Sequence, residues 1–457
     1  MNIQRSVSLV LFGVTLSLAA GAAATAQVRA TAPRVTAAPA VSAAVVRPGA
    51  SASLREMVAP KVRGVVVDET KIRAHVIRPN NVIGVVSDEG RGVVTALKIS
   101  PALQIARPSP PHLDVEGFGN ALHAALKDQT VGYVMQLRKN GQTIYTLQWN
   151  WAKTPADGSV GWTPDRQMHI ASVSKLITAM AMTKLLDAKS ISYDAKIIGY
   201  LPTFWTKGPN IDKITFRELM TQTSGFSTGG SSSDYLFMKG RVAQGVPANM
   251  VGQYDYENMN FGLCRILIAI INGDVDKDME VGGMFASLND AVWDYTTVEA
   301  YKNYVQAKVF NPAGVANATL DHPGADAYAY AFPVSSAGGW NSGDLASMAG
   351  GAAWHMSTSQ LLDVMGTFRR KGTIMSTAAA QAMLDNGFGV DVIQDTPAGK
   401  LYNKNGRWQS SGRAEQSLAY FLPQGMELVV LTNSPISNQD TFFRSLVTQI
   451  YVDNIKP

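Results

Sequence analysis

A serine stands three residues ahead of a lysine in Ser172-Val173-Ser174-Lys175, which runs into the apolar stretch Leu176-Ile177-Thr178-Ala179-Met180. On a helix this spacing puts the hydroxyl and the amine on one face, a turn apart. A hydroxyl is a weak nucleophile until a nearby base takes its proton, and a lysine desolvated by apolar neighbours is such a base. A serine at a helix start also meets backbone N–H groups and a dipole that favour negative charge. The chemistry implied is nucleophilic attack by Ser172. Spacing alone is weak support, because Ser-x-x-Lys arises by chance about once or twice in a chain of this length. Its bland alternative is an N-cap serine followed by an ordinary lysine.

Partners in the right order strengthen the assignment. Tyr256-Glu257-Asn258 offers a phenol that, beside an ammonium, can relay a proton from serine to a leaving group, and an amide, Asn258, that could hold Lys175 and a substrate. Lys404-Asn405-Gly406 is expected on or at the end of a strand. There Lys404 would attract a substrate carboxylate, while Gly406 lets the backbone approach so that the N–H of Arg407 faces the oxyanion together with that of Ser172. The pocket is expected around Arg407, Trp408 and the loop at Ser231.

These three motifs resemble the Ser-x-x-Lys, Tyr-x-Asn and Lys-Thr-Gly sets of the serine β-lactamase and penicillin-binding-protein superfamily, in the branch of class C β-lactamases, DD-peptidases and related esterases. Leu219-Met220-Thr221-Gln222-Thr223-Ser224-Gly225, Phe310-Asn311-Pro312-Ala313-Gly314 and Leu431-Thr432-Asn433-Ser434 resemble connecting blocks of that family. The resemblance covers about residues 131–455. It implies that Ser172 is acylated, Lys175 and Tyr256 move protons, Asn258 orients, Lys404 reads a negative group and water completes hydrolysis. Two positions depart from the pattern: Asn405 stands where Thr or Ser is usual, and Gln222 where His is more common.

The elements that must position these residues are partly legible. Lys139-Asn140-Gly141-Gln142 between two β-rich runs, Val131 to Arg138 and Thr143 to Trp149, predicts a hairpin. Ser417 to Leu422 and Leu428 to Leu431 predict matching strands, followed by an amphipathic helix from about Asp440 to Ile455. Helical stretches fall between, at Ser172 to Lys189, Phe216 to Thr221 and Gly262 to Ile271, without strand–helix alternation. The expected fold class is α+β and two-lobed, an antiparallel sheet flanked by helices plus a helical lobe, with the site where they meet. Gly225-Phe226-Ser227-Thr228-Gly229 fits the nucleophile elbow of α/β-hydrolases, but that motif needs a strand before it and a helix after, and its surroundings predict neither. A binding protein of the same fold that does not turn over substrate is the competing reading from another class.

The 457 residues divide into an expected signal peptide (1–26), an Ala- and Pro-rich linker (27–60), a basic accessory segment with short strands (61–116) and the hydrolase domain (117–457). Arg5, the apolar run Val7 to Leu18 and Ala24-Thr25-Ala26 are the signal, so export to the periplasm or medium is expected. Twelve Lys or Arg against five Asp or Glu between Gln27 and Pro111 would suit anionic wall polymer or a membrane surface, with a small molecule or peptide as substrate and no nucleic-acid partner. The only cysteine, Cys264, sits among apolar residues and reads as a buried hydrophobe. Six histidines without paired spacing predict no metal, and no cofactor is implied.

Overall fold

The computed structural model describes residues 54–72, 85–86, 110–229, 232–281, 286–334, 338–436 and 443–457. Eight of the described strands form the main sheet: β1 (Val85–Val86), β2 (Gly132–Lys139), β3 (Gln142–Lys153), β4 (Val160–Gly161), β5 (Val392–Thr396), β6 (Gly399–Ser410), β7 (Arg413–Leu422) and β8 (Met426–Thr432). Their order is β1-β6-β7-β8-β2-β3-β4, with β5 also against β6, and every pairing is antiparallel. Asn140 and Gly141 both take positive φ, 51° and 87°, as a two-residue turn matched to twisted strands requires, so the predicted hairpin forms between β2 and β3.

Strand side chains alternate faces, and in β2, β7 and β8 both faces are apolar. Tyr133, Met135 and Leu137 with Leu418, Tyr420, Leu428 and Val430 pack under α1 (Val115–Leu126) and the last helix, Phe443–Asp453. Val134, Ala419, Phe421, Val429 and Leu431 face the other way into a larger core. That core is shared with α2 (Ser174–Ala188), which follows a single 3-10 turn at Ala171–Val173, and with α3 (Phe216–Met220), α4 (Asn258–Asn272) and α5 (Ala286–Val305). The final helix is α6. The expected α+β architecture of sheet and helical lobe is the one observed.

The N-terminal segments differ from expectation. Leu54, Val58, Val62 and Ile72 are buried in the large core, and β1 extends the main sheet at Trp408 and Gln409. Part of the described segment 54–72 thus packs into the same core as the helical lobe, while Met57 and Val66 stay exposed. The expected signal peptide and the linker up to residue 53 lie outside the described residues. Among the described residues no helix is long and apolar enough to cross a membrane.

Phe118 on α1 is fully buried and meets Tyr451 of α6 edge to face, ring centroids 6.4 Å apart. Phe118→Ala is expected to cost about 3–5 kcal/mol in denaturant unfolding. Its face of the sheet is opposite Ser172, so labelling of Ser172 in the folded protein should persist; a cost well below that range would show that α1 packs loosely.

Candidate active site

The chain turns sharply before α2. Ala171 takes φ 45°, a region that disfavours a side chain, so the turn carrying Ser172 must be held by its surroundings. Several contacts hold it: the Ile170 N–H donates to Trp354 O at 2.9 Å, Ser417 Oγ on β7 donates to Ile170 O at 2.6 Å, and the Val173 N–H returns to Ile170 O at 3.1 Å. Ser174 Oγ accepts from the N–H groups of Ala353 and Trp354.

Lys175 Nζ reaches three acceptors from three parts of the chain: Ser172 Oγ at 3.0 Å, Asn258 Oδ1 at 2.6 Å and Gly351 O at 2.7 Å. The Tyr256 hydroxyl is hydrogen-bonded to Ser172 Oγ. Lys175 Nζ also lies 4.8 Å from the centre of the Tyr256 ring, and Lys404 Nζ lies 5.3 Å from it. Ser172, Lys175, Tyr256, Asn258 and Lys404, spread over more than 230 positions of sequence, are thus brought together and buried. Gln222 braces the group: its main-chain O accepts from the Asp255 N–H, and its Oε1 from the Glu257 N–H at 3.1 Å and Asn260 Nδ2 at 2.6 Å. The Glu257 carboxylate turns away to the N–H and hydroxyl of Thr228.

Strand β6 supplies the opposite wall. A Cβ on Gly406 would fall 2.5 Å from Ile170 O and 2.8 Å from Ser172 N, so only glycine lets the strand pass the nucleophile this closely. β5 pairs with residues 399–403 and β1 with 408–409, and no described strand covers 404–407 on that edge. The Asp391 N–H donates to Asn403 O, so the odd-numbered residues of β6 present their main-chain groups there, and the Arg407 N–H faces the open edge beside Ser172. The side chains divide by the same parity. Lys404 points toward Tyr256, while Asn405 lies on the far face, its Oδ1 taking Arg444 Nη1 of α6 at 2.9 Å. Trp408, expected beside the pocket, is buried edge-on against His169, centroids 5.3 Å apart, where its ring supports the wall from within. Residue 231 lies outside the described residues.

Two features were missed in the sequence. Asp391, just before β5, pairs with Lys404: Oδ1 accepts from Lys404 Nζ at 2.6 Å and Oδ2 from the Asn405 N–H at 3.0 Å. Beneath the nucleophile turn, His169 Nδ1 lies 3.1 Å from Glu415 Oε2, both fully buried, with His355 stacked 5.2 Å away. Burial lowers His169 to about 3, lowers His355 well below the usual imidazole range and raises Glu415 well above the usual carboxylate range. The pair is therefore a neutral hydrogen bond sharing one proton, not an ion pair. Cys264 is buried, and burial pushes its thiol up, which leaves it unreactive. Among the described residues no group of three or more His, Cys, Asp or Glu is arranged to hold a metal ion. Ser227 is exposed on a loop after α3 with no strand before it, so the elbow geometry is absent there.

The Beta-lactamase family model matches residues 118–450. Among characterised proteins, the chain is 26% identical over 155 residues to Esterase/beta-lactamase LipL of Mycobacterium tuberculosis, a stretch covering 33% of this chain and only 35% of LipL. Among solved structures it is similar to FmtA of Staphylococcus aureus (16% identity, TM-score 0.55, 75% of this chain and 89% of that one). It is also similar to the D-amino acid amidase of Ochrobactrum anthropi SV3 (16% identity, TM-score 0.54, 73% and 97%). At these identities the structural likenesses speak to fold.

Gly406→Ala is expected to abolish acylation of Ser172 while the protein stays folded at low temperature, since the added methyl strikes Ile170 O and Ser172 N; unchanged labelling would refute the close approach. A second expectation concerns pH. With its folded pKa lowered, His169 stabilises the protein fully above the unfolded value near 6.5, and that contribution is lost as pH falls toward about 3. Glu415, raised, acts in the opposite sense, its contribution being lost as pH rises through its folded value. The Tm difference between wild type and His169→Gln should therefore shrink from pH 6.5 to 3; parallel Tm curves would refute a neutral buried His169.

Proposed function

Because the chain belongs to the Beta-lactamase family, we propose that it is an exported serine hydrolase that forms an acyl-enzyme at Ser172 on an ester, amide, D-alanyl peptide or β-lactam. The observation that carries this reading is the joint contact of Lys175 Nζ and the Tyr256 hydroxyl with Ser172 Oγ. Both groups able to accept or relay the serine proton touch the nucleophile, and Asn258 fixes the lysine. The names of LipL, an esterase/β-lactamase, and of the D-amino acid amidase support the ester and amide classes.

In the first step Ser172 Oγ bonds to the substrate carbonyl carbon as its proton passes to the Lys175–Tyr256 pair. Negative charge on the former carbonyl oxygen is met by the N–H groups of Ser172 and Arg407. The bond to the leaving group then breaks as that group takes the proton. Water repeats the sequence, cleaving the acyl–serine ester and restoring the hydroxyl. Export, and contact of the basic N-terminal segment with anionic wall polymer or a membrane surface, belong to the same reading and are supported by the residues of positions 1–111 alone.

Intact-mass measurement after exposure to a fluorophosphonate, a penicillin, a D-Ala-D-Ala peptide and a short acyl ester should show one adduct or turnover that depends on Ser172. Ser172→Ala is expected to remove it and Ser227→Ala to leave it; the reverse pattern would falsify the assignment. Tyr256→Phe and Lys175→Ala are each expected to slow acylation about 10²- to 10⁴-fold. An adduct that never turns over on any of the four would favour a binding protein of the same fold.

A further inference from the structure

Lys404 occupies the position at which the family resemblance implies a cation that reads a substrate carboxylate, yet its ammonium already has a partner inside the protein. Asp391 holds Lys404 Nζ at 2.6 Å through one oxygen and the Asn405 N–H at 3.0 Å through the other, and all three residues are buried. The segment bearing Asp391 is fixed against the site. Gly389, at φ 70°, passes so close to α2 that a Cβ there would lie 2.9 Å from Lys175 O, and its N–H donates to Met220 O. The Asp391 N–H is itself in the sheet through Asn403 O at 2.8 Å. The main chain that carries the carboxylate is therefore held in place, and the carboxylate itself is held by Lys404 and the Asn405 N–H.

A substrate carboxylate arriving at Lys404 would meet a cation whose charge is already matched and an aspartate carboxylate within hydrogen-bond reach of the same Nζ. Like charges juxtaposed in a buried site repel. An uncharged amide or ester group meets no such repulsion.

We propose that Asp391 is a specificity-determining residue: by neutralising Lys404 it makes the site select acyl donors that are uncharged next to the scissile bond, neutral esters and amides, over those bearing a carboxylate there. The proposal rests on the reading of Ser172 as nucleophile, since the site it filters is that one.

The test uses a matched pair, the glycolate ester of N-phenylacetylglycine and its glycolamide counterpart, which differ only in a carboxylate against a primary amide. Wild type should favour the glycolamide in kcat/KM by about tenfold or more, about 1.4 kcal/mol per tenfold. The full-length Ser172→Ala protein should show the same preference in Kd by calorimetry, a measurement that needs no turnover. Asp391→Asn should narrow the ratio by about tenfold through better use of the glycolate. Equal use of the pair by wild type, preference for the glycolate, no binding of either ester, or an unchanged ratio in folded Asp391→Asn would each overturn the proposal. Should Asp391→Asn not fold, the wild-type and Ser172→Ala ratios decide alone. Discrimination by Ser172→Ala without any acyl adduct on wild type would instead refute the hydrolase reading and leave Asp391 in its role.

Discussion

A buried ammonium cannot be left without acceptors, and this constraint organises the centre of the molecule. Lys175 has lost nearly all contact with water, so its donors must be satisfied by the protein. The acceptors come from the nucleophile turn, the start of α4 and the Gly350-Gly351 segment. Each of those segments is then held in turn: Ser174 by Ala353 and Trp354, Thr178 Oγ1 by Gly350 O at 2.7 Å, and the start of α4 by Gln222 and Glu257. Removing the lysine side chain would take a donor from Asn258 Oδ1 and from Gly351 O as well as depriving Ser172 of its neighbour. Assembly of the site and packing of the helical lobe are consequently one energetic problem.

The sheet contributes a second constraint through its parity. Where an antiparallel sheet is covered on both faces it has no solvent side, so residues 401–406 of β6, all buried, must be accommodated in one of two packed layers. Lys404 and Gly406 fall in the layer of the nucleophile, Asn405 in the layer of α6, where Arg444 takes its side-chain oxygen. Beneath the same strand, Trp408 closes over His169, and His169 shares a proton with Glu415 of β7. The strained Ala171 turn thus rests on a fully buried layer.

The fold was legible where its signals are local. Asn140-Gly141, the runs at 417–422 and 428–431 and the helix after Ser172 all formed within a few residues of expectation, because turn conformation and periodicity are properties of short segments. Alternation puts Trp408 on the same face of β6 as Lys404 and Gly406, but it could not show that the ring would pack against His169. The Asp391–Lys404 pair, the Gly351 carbonyl and the Gln222 brace were invisible for a different reason. Each is a partner chosen by register and by the close approach of distant segments, and no spacing rule marks an aspartate 13 positions before a lysine as its ion-pair partner. The burial of Leu54, Val58 and Ile72 was missed because a short segment carries no sign of the distant surface it will cover.

Charge placement across the junction follows from these contacts and limits the chemistry. Two ammonium groups flank the Tyr256 ring: that of Lys175 touches Ser172 Oγ, that of Lys404 is held by Asp391, and the nearby Glu257 is turned to Thr228. On the proposed reading an oxyanion would form between the Ser172 and Arg407 N–H groups, beside the Lys175 ammonium, whereas a ground-state carboxylate further out would meet a Lys404 already held by Asp391. Under that proposal the arrangement serves charge that arises at Ser172 during acyl transfer without favouring anionic substrates, a separation that a lysine at position 404 without Asp391 would erase.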